Sequence, residues 1–94
     1  MNKYELVVIV DAASSQEDKE AIVKDAIEAM DKCDGKLINR HVWLEKNKFS
    51  FPIKKRTEGT YYMLNFEAPQ AQMVKLRQLL KLNDKILRSA IIRV

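Results

Sequence analysis

The run Leu6-Val7-Val8-Ile9-Val10 is apolar on both alternations and rich in β-branched residues, which predicts a central strand over residues 3–10 with both faces covered. Ser14-Ser15-Gln16-Glu17 then fits a capping box. In that motif a Ser hydroxyl accepts an orphan backbone N–H and Glu17 reaches back to the first residue. Ile22, Val23, Ala26, Ile27, Met30 and Cys33 recur at three- and four-residue spacing, and Gly35 can supply the left-handed conformation that ends a helix, so a helix is predicted over residues 15–33. Alternation with aromatic and basic residues over 37–45 and 48–51, broken at Lys46-Asn47, predicts one long bulged strand ending at Pro52. Residues 54–59 read as a polar connector. The stretch 60–67, dense in Tyr, Phe, Leu and Met, reads as the next strand, hairpin-paired with the one before. Pro69 suits the first turn of a second helix whose apolar stripe is Met73, Val74, Leu76, Leu79 and Leu80. Asn83-Asp84 turns the chain into a last strand over 86–94.

The resulting order, β-α-β-β-α-β, is the ferredoxin-like split βαβ arrangement of the α+β class: a four-stranded antiparallel sheet with two helices on one face. Residues 1–94 are expected to form a single domain. In the first strand Leu6, Val8 and Val10 should face the helices. Val7 and Ile9 should then stand on the opposite side with Tyr61, Met63, Ala90 and Ile92, an apolar patch that water covers poorly.

Composition narrows what such a domain can do. Hydrophobic residues make up 47% and charged residues 32% of the chain, the balance of a folded protein. No apolar run approaches the roughly 20 residues a membrane-spanning helix needs, and no small-residue cleavage pattern follows the first strand, so a cytoplasmic protein is expected. One Cys33 and one His41 can form neither an internal disulfide nor a tetrahedral zinc site. Cys33 lies on the helical stripe and His41 among basic strand residues, so the pair reads as buried thiol and surface imidazole rather than nucleophile and base. Glu5 and Asp11 sit at opposite ends of one strand, roughly 20 Å apart. Gly35 and Gly59 stand alone in unrelated turns, which excludes a glycine-rich phosphate loop. No catalytic constellation, metal site, cofactor site or small-molecule substrate is expected.

Charge is more informative than catalysis. The net charge is +4, but acids and bases are segregated. Asp11, Glu17, Asp18, Glu20, Asp25, Glu28, Asp31 and Asp34 dominate residues 11–34, whereas Lys36, Arg40, Lys46, Lys48, Lys54, Lys55 and Arg56 are interleaved with Trp43, Phe49 and Phe51. Basic residues mixed with aromatics on strands suit a polyanion, and a solvated strand face would look the same. The RNA-recognition signature of this fold is absent from 60–66, where Tyr62 and Phe66 read as core residues.

Several segments resemble, in order along the chain, the bacterial small-subunit ribosomal protein S6 family. Lys3-Tyr4-Glu5 resembles its basic-Tyr-Glu opening. Phe49-Ser50-Phe51-Pro52-Ile53-Lys54 resembles its Leu-Ala-Tyr-Pro-Ile-Lys segment, and Gly59-Thr60-Tyr61-Tyr62 with Phe66-Glu67-Ala68-Pro69 follows its Gly-aromatic strand and proline exit. Leu82-Asn83-Asp84-Lys85-Ile86-Leu87-Arg88-Ser89 resembles the turn and Ile-Leu-Arg run that begins its last strand. Trp43-Leu44-Glu45-Lys46-Asn47-Lys48 departs from the family, which has Gly after the Trp and then two basic residues. Some members carry a charged tail after the last strand, and nothing that depends on such a tail is carried over.

The resemblance implies a non-enzymatic component of the small ribosomal subunit, binding the central domain of 16S rRNA together with small-subunit protein S18. On that reading Lys3, Lys54, Lys55, Arg56, Arg88 and Arg93, at strand ends or in loops, are the expected RNA-binding residues. Tyr4, Val7, Trp43, Lys48, Phe51, Tyr61 and Met63 are the expected interface with the protein partner. The alternative is a regulatory domain of the same fold that dimerises through its sheet and holds a small metabolite. An acylphosphatase-like enzyme ranks below both, for want of the Gly-rich loop with its Arg.

Overall fold

Alternation and helical spacing translate directly into the observed elements. A computed structural model describes residues 2–53 and 55–94. Its elements are β1 (Asn2–Asp11), α1 (Gln16–Lys32), β2 (Lys36–Ile53), β3 (Arg56–Ala68), a short 3-10 turn (Gln70–Gln72), α2 (Met73–Lys81) and β4 (Arg88–Arg93). The strands lie in the order β2-β3-β1-β4, every neighbouring pair antiparallel. The two apolar strands therefore occupy the centre, and β2 and β4 form the edges.

Directly opposed residues share a face, so the pairs Leu6↔Leu64 and Val8↔Tyr62 put one row of side chains beneath the helices. There they meet Ile22, Val23, Ala26 and Met30 of α1, the Cys33 that follows it, and Met73, Leu76 and Leu80 of α2. Each fully buried Leu or Phe on this face contributes about 1.5–3 kcal/mol. Val74, expected in the second stripe, is exposed instead, because Met73, Leu76 and Leu80 already fill the buried face of α2. Tyr4 is a second correction. Its parity with Leu6 turns it into the core, where its ring stacks on Phe66 with centroids 5.5 Å apart, so it has almost no surface to offer a partner.

The ends of α1 differ from expectation by one residue each. The cap is Ser15, not Ser14: its hydroxyl accepts the Asp18 N–H at 3.1 Å. At the other end Asp34 (φ 58), not Gly35, takes the left-handed conformation. The Gly35 N–H then donates to the Met30 carbonyl at 2.9 Å and the Asp34 N–H to the Asp31 carbonyl at 3.2 Å, closing the helix. Gly35 is required for a different reason, since a Cβ there would stand 2.6 Å from Met30 Cγ and 2.9 Å from the Met30 carbonyl oxygen.

The predicted connector 54–59 is mostly strand. Ile53 pairs with Arg56, so the β2–β3 hairpin turns tightly, with Lys55 at φ 67. The bulging expected in β2 is present as register shifts between Leu37 and Asn39, Val42 and Leu44, Leu44 and Asn47, and Lys48 and Ile53. Buried Thr60 fixes the third of these by donating its hydroxyl to the Glu45 carbonyl at 2.6 Å. β4 starts later than expected, at Arg88; Ile86 is buried ahead of it and the Leu87 N–H donates to the Ile9 carbonyl at 2.8 Å.

Candidate nucleic-acid and partner interface

The long bulged β2 decides the character of the outer sheet face. Its irregular register lets Phe49 lie back over Gly59, where a Cβ would collide with the Phe49 ring and come within 2.8 Å of Ile9 Cγ2. Trp43 meets Tyr61 edge-on at 5.9 Å, Phe49 meets the same ring at 6.4 Å, and Asn47 Nδ2 donates to Tyr61 Oη at 3.3 Å. Under this cover Val7 and Ile9 are only 6% and 7% exposed. The expected apolar patch is thus largely closed by the protein's own hairpin. What stays open is its rim: Trp43 at 52%, Phe51 at 81%, and Ile92 on the far side.

Among the expected partner-binding residues, Trp43, Lys48 and Phe51 are exposed, Tyr61 and Met63 half-buried, and Val7 nearly covered. Phe49, Ser50, Phe51, Tyr61 and Arg88 line one shallow hollow, which brings the aromatic rim and a cation together. Phe49 and Asn47 were not singled out from the sequence as site residues; the aromatic spacing Phe49, Phe51 was visible, but not that the first folds inward and the second outward.

The expected RNA-binding cations fall into two groups. Lys55, Arg56 and Arg88 lie toward one end of the sheet, where Arg88 pairs with Ile9 and Asp11 with Gly59. Lys3 and Arg93 lie at the other, Arg93 pairing with Tyr4 and donating from Nη2 to Asn2 Oδ1 at 3.4 Å. Ile9 is six residue steps along β1 from Lys3, about 20 Å at the usual rise. Lys54, the remaining member, lies outside the described residues.

Several cations of the basic segment are tied up locally. Arg40 Nη2 meets Glu20 Oε2 at 2.9 Å, Lys46 Nζ meets Glu58 Oε2 at 3.5 Å, and Arg56 Nε meets Asp11 Oδ2 at 3.3 Å. These pairs are largely solvent-exposed and stabilise the fold by at most about 1 kcal/mol each, so an incoming phosphate can compete for the cations. Burial pushes the Cys33 thiol and the Tyr62 phenol above their ordinary values, and both face the core rather than this surface. Among the described residues no group of His, Cys, Asp and Glu could hold a metal ion, and no helix is long and apolar enough to cross a membrane.

Comparison with known proteins decides the family. A family model described as ribosomal protein S6 matches residues 3–93. The chain belongs to the ribosomal protein S6 family. The small ribosomal subunit protein bS6 of Dictyoglomus turgidum is 34% identical over 88 residues, covering 94% of this chain and 90% of its own length. That of Clostridioides difficile is 34% identical over 92 residues, covering 98% of each. Among solved structures, the 30S ribosomal protein S6 of Thermotoga maritima superposes with a TM-score of 0.86 at 22% identity, over 99% of this chain and 87% of that one. This S6 chain is therefore a protein of the small ribosomal subunit, a structural family rather than a class of enzyme, and its ferredoxin-like fold is that of its relatives.

Proposed function

We propose that this S6 chain acts as one domain on the cytoplasmic ribosome, binding the central domain of 16S rRNA together with S18 during small-subunit assembly. The observation that carries the reading is the aromatic rim of the outer face. Trp43 and Phe51 stand exposed beside Tyr61, with Lys48 on the same strand, and Lys55 and Arg56 at the hairpin turn. Large rings left open next to cations suit a protein partner at the rings and phosphates at the cations. Trp43, Lys48, Phe51, Tyr61 and Met63, with Val7 beneath them, form the proposed protein interface. Lys3, Lys54, Lys55, Arg56, Arg88 and Arg93 form the proposed RNA contacts. The rival reading, a sheet-to-sheet dimer holding a metabolite, needs an open apolar bed, and Phe49 and Tyr61 already cover most of it.

The test is filter binding of labelled 16S central-domain RNA to the protein, alone and with S18, across a salt series. Retention should depend strongly on the partner. Substituting Lys55 and Arg56 together by Ala should flatten the dependence of log affinity on log salt by about one unit per cation removed. Equal retention with and without S18 would remove the cooperative reading, and an unchanged salt slope would move the RNA surface away from the hairpin turn.

A further inference from the structure

Away from the aromatic rim, an open groove of about 640 Å³ runs between α2 and the edge strand β4. Its floor is apolar, made by Leu80, Ile86 and Ile91, and its wall carries Arg77 and Lys81, one helical turn apart on α2; Arg88 at the start of β4 borders its end, on the outer face with Ile9. No carboxylate lines it. Arg77, Lys81 and Arg88 have no ion-pair partner among the described residues, in contrast to Arg40, Lys46 and Arg56 across the molecule.

The groove also borders an unpaired strand edge. β4 is hydrogen-bonded on one side only, to β1. The Val94 N–H donates to the Lys3 carbonyl, so the alternation of an antiparallel ladder turns the backbone groups of Ser89, Ile91 and Arg93 outward. Ser89 and Ile91 are the same residues whose side chains line the groove. An occupant lying along β4 would thus meet backbone donors and acceptors, an apolar floor and a row of cations together.

We propose that this groove takes an extended acidic peptide segment that adds a fifth strand to the sheet at β4. Backbone pairing supplies the register, and the side chains of the one alternation that faces α2 enter the groove, apolar ones over the floor and carboxylates against Arg77 and Lys81. A phosphate backbone fits less well, since it would use the cations but leave both the apolar floor and the strand edge unmatched. The proposal does not rest on the RNA-binding reading, because neither Arg77 nor Lys81 belongs to that surface.

The probe is a fluorescein-labelled peptide of repeating Val-Thr-Glu-Thr, which sets Val and Glu in turn along one strand face, compared with its Val-Thr-Lys-Thr counterpart, by anisotropy on the full chain at low salt. Amide exchange at Ser89 and Ile91 is followed in parallel. The acidic peptide should bind, the basic one should not, and both amides should become protected. Arg77→Glu with Lys81→Glu should weaken binding roughly tenfold or more, with the milder Arg77→Gln and Lys81→Gln pair intermediate and 16S RNA retention unchanged. Equal binding of both peptides, or binding without amide protection, would overturn the proposal. Protection of the same amides by central-domain RNA, with the acidic peptide displaced, would overturn it in favour of RNA.

Discussion

The inner face of the sheet is closed by α1 and α2, which arrive from distant parts of the chain, whereas the outer face is closed by Phe49 and Tyr61 of the β2–β3 hairpin, a neighbour in sequence. Both leave their β1 residues nearly dry: Leu6, Val8 and Val10 are fully buried on one side, and Val7 and Ile9 almost so on the other. The difference lies at the margins. The helices cover the two central strands of the inner face completely, and the aromatic side chains there, Tyr4, Tyr62 and Phe66, are buried. The hairpin covers only the sheet's middle, and Trp43 and Phe51 project past it. A face closed by its own strands can be stable alone and still present a rim to another molecule.

Mutations on the two faces should therefore separate stability from binding. Leu64→Ala, beneath the helices and completely buried, should cost about 2–5 kcal/mol in urea denaturation, the range for a core cavity. Phe49→Ala removes a half-buried ring and should cost less, about 1–2 kcal/mol, while exposing Val7 and Ile9 and raising the fluorescence of a hydrophobic dye. Equal costs would mean that the hairpin is as integral to the core as the helices, and the comparison would fail.

A smaller change tests the inner cover by itself. Ser15→Ala should cost about 1 kcal/mol, since the Asp18 N–H loses its acceptor. Ser14→Ala should stay within about 0.5 kcal/mol, as expected for a surface position without such a role. The reverse ranking would restore the frame that the sequence suggested.

That one-residue error shows what the chain makes legible. Periodicity marks the helix and the strand parity of Leu6, Val8 and Val10 because each is a property of neighbours in sequence. Choosing Ser15 over Ser14, or Asp34 over Gly35 for the left-handed position, depends on where the helix axis lies once Met30 is packed. Tyr4, named among the expected partner residues, shares its parity with Leu6, and that parity puts it in the core. The charge neutralisation was illegible for a plainer reason: Arg40 and Glu20, or Arg56 and Asp11, are far apart in sequence and meet only when the sheet forms. The groove cations Arg77 and Lys81 were visible as an i, i+4 pair. That no carboxylate lines their groove was not.

The smallest expected effect is one of pH, and it belongs to the inner face alone. Burial raises the Cys33 thiol above its ordinary 9.0 and the Tyr62 phenol above its ordinary 10.0. In each case the folded state holds its proton longer than the unfolded chain does. As pH rises past the ordinary value, the unfolded state ionises first and binds fewer protons, so stability falls. The contribution is intact below about pH 9 and is lost progressively above it, with Cys33 acting first. Urea midpoints measured from about pH 7 to about pH 10 should be level at first and then decline, and Cys33→Ala should make the early part of the decline shallower. Should the variant decline as steeply as the parent, the alkaline loss would come from the Tyr62 phenol rather than from the thiol packed under the helices.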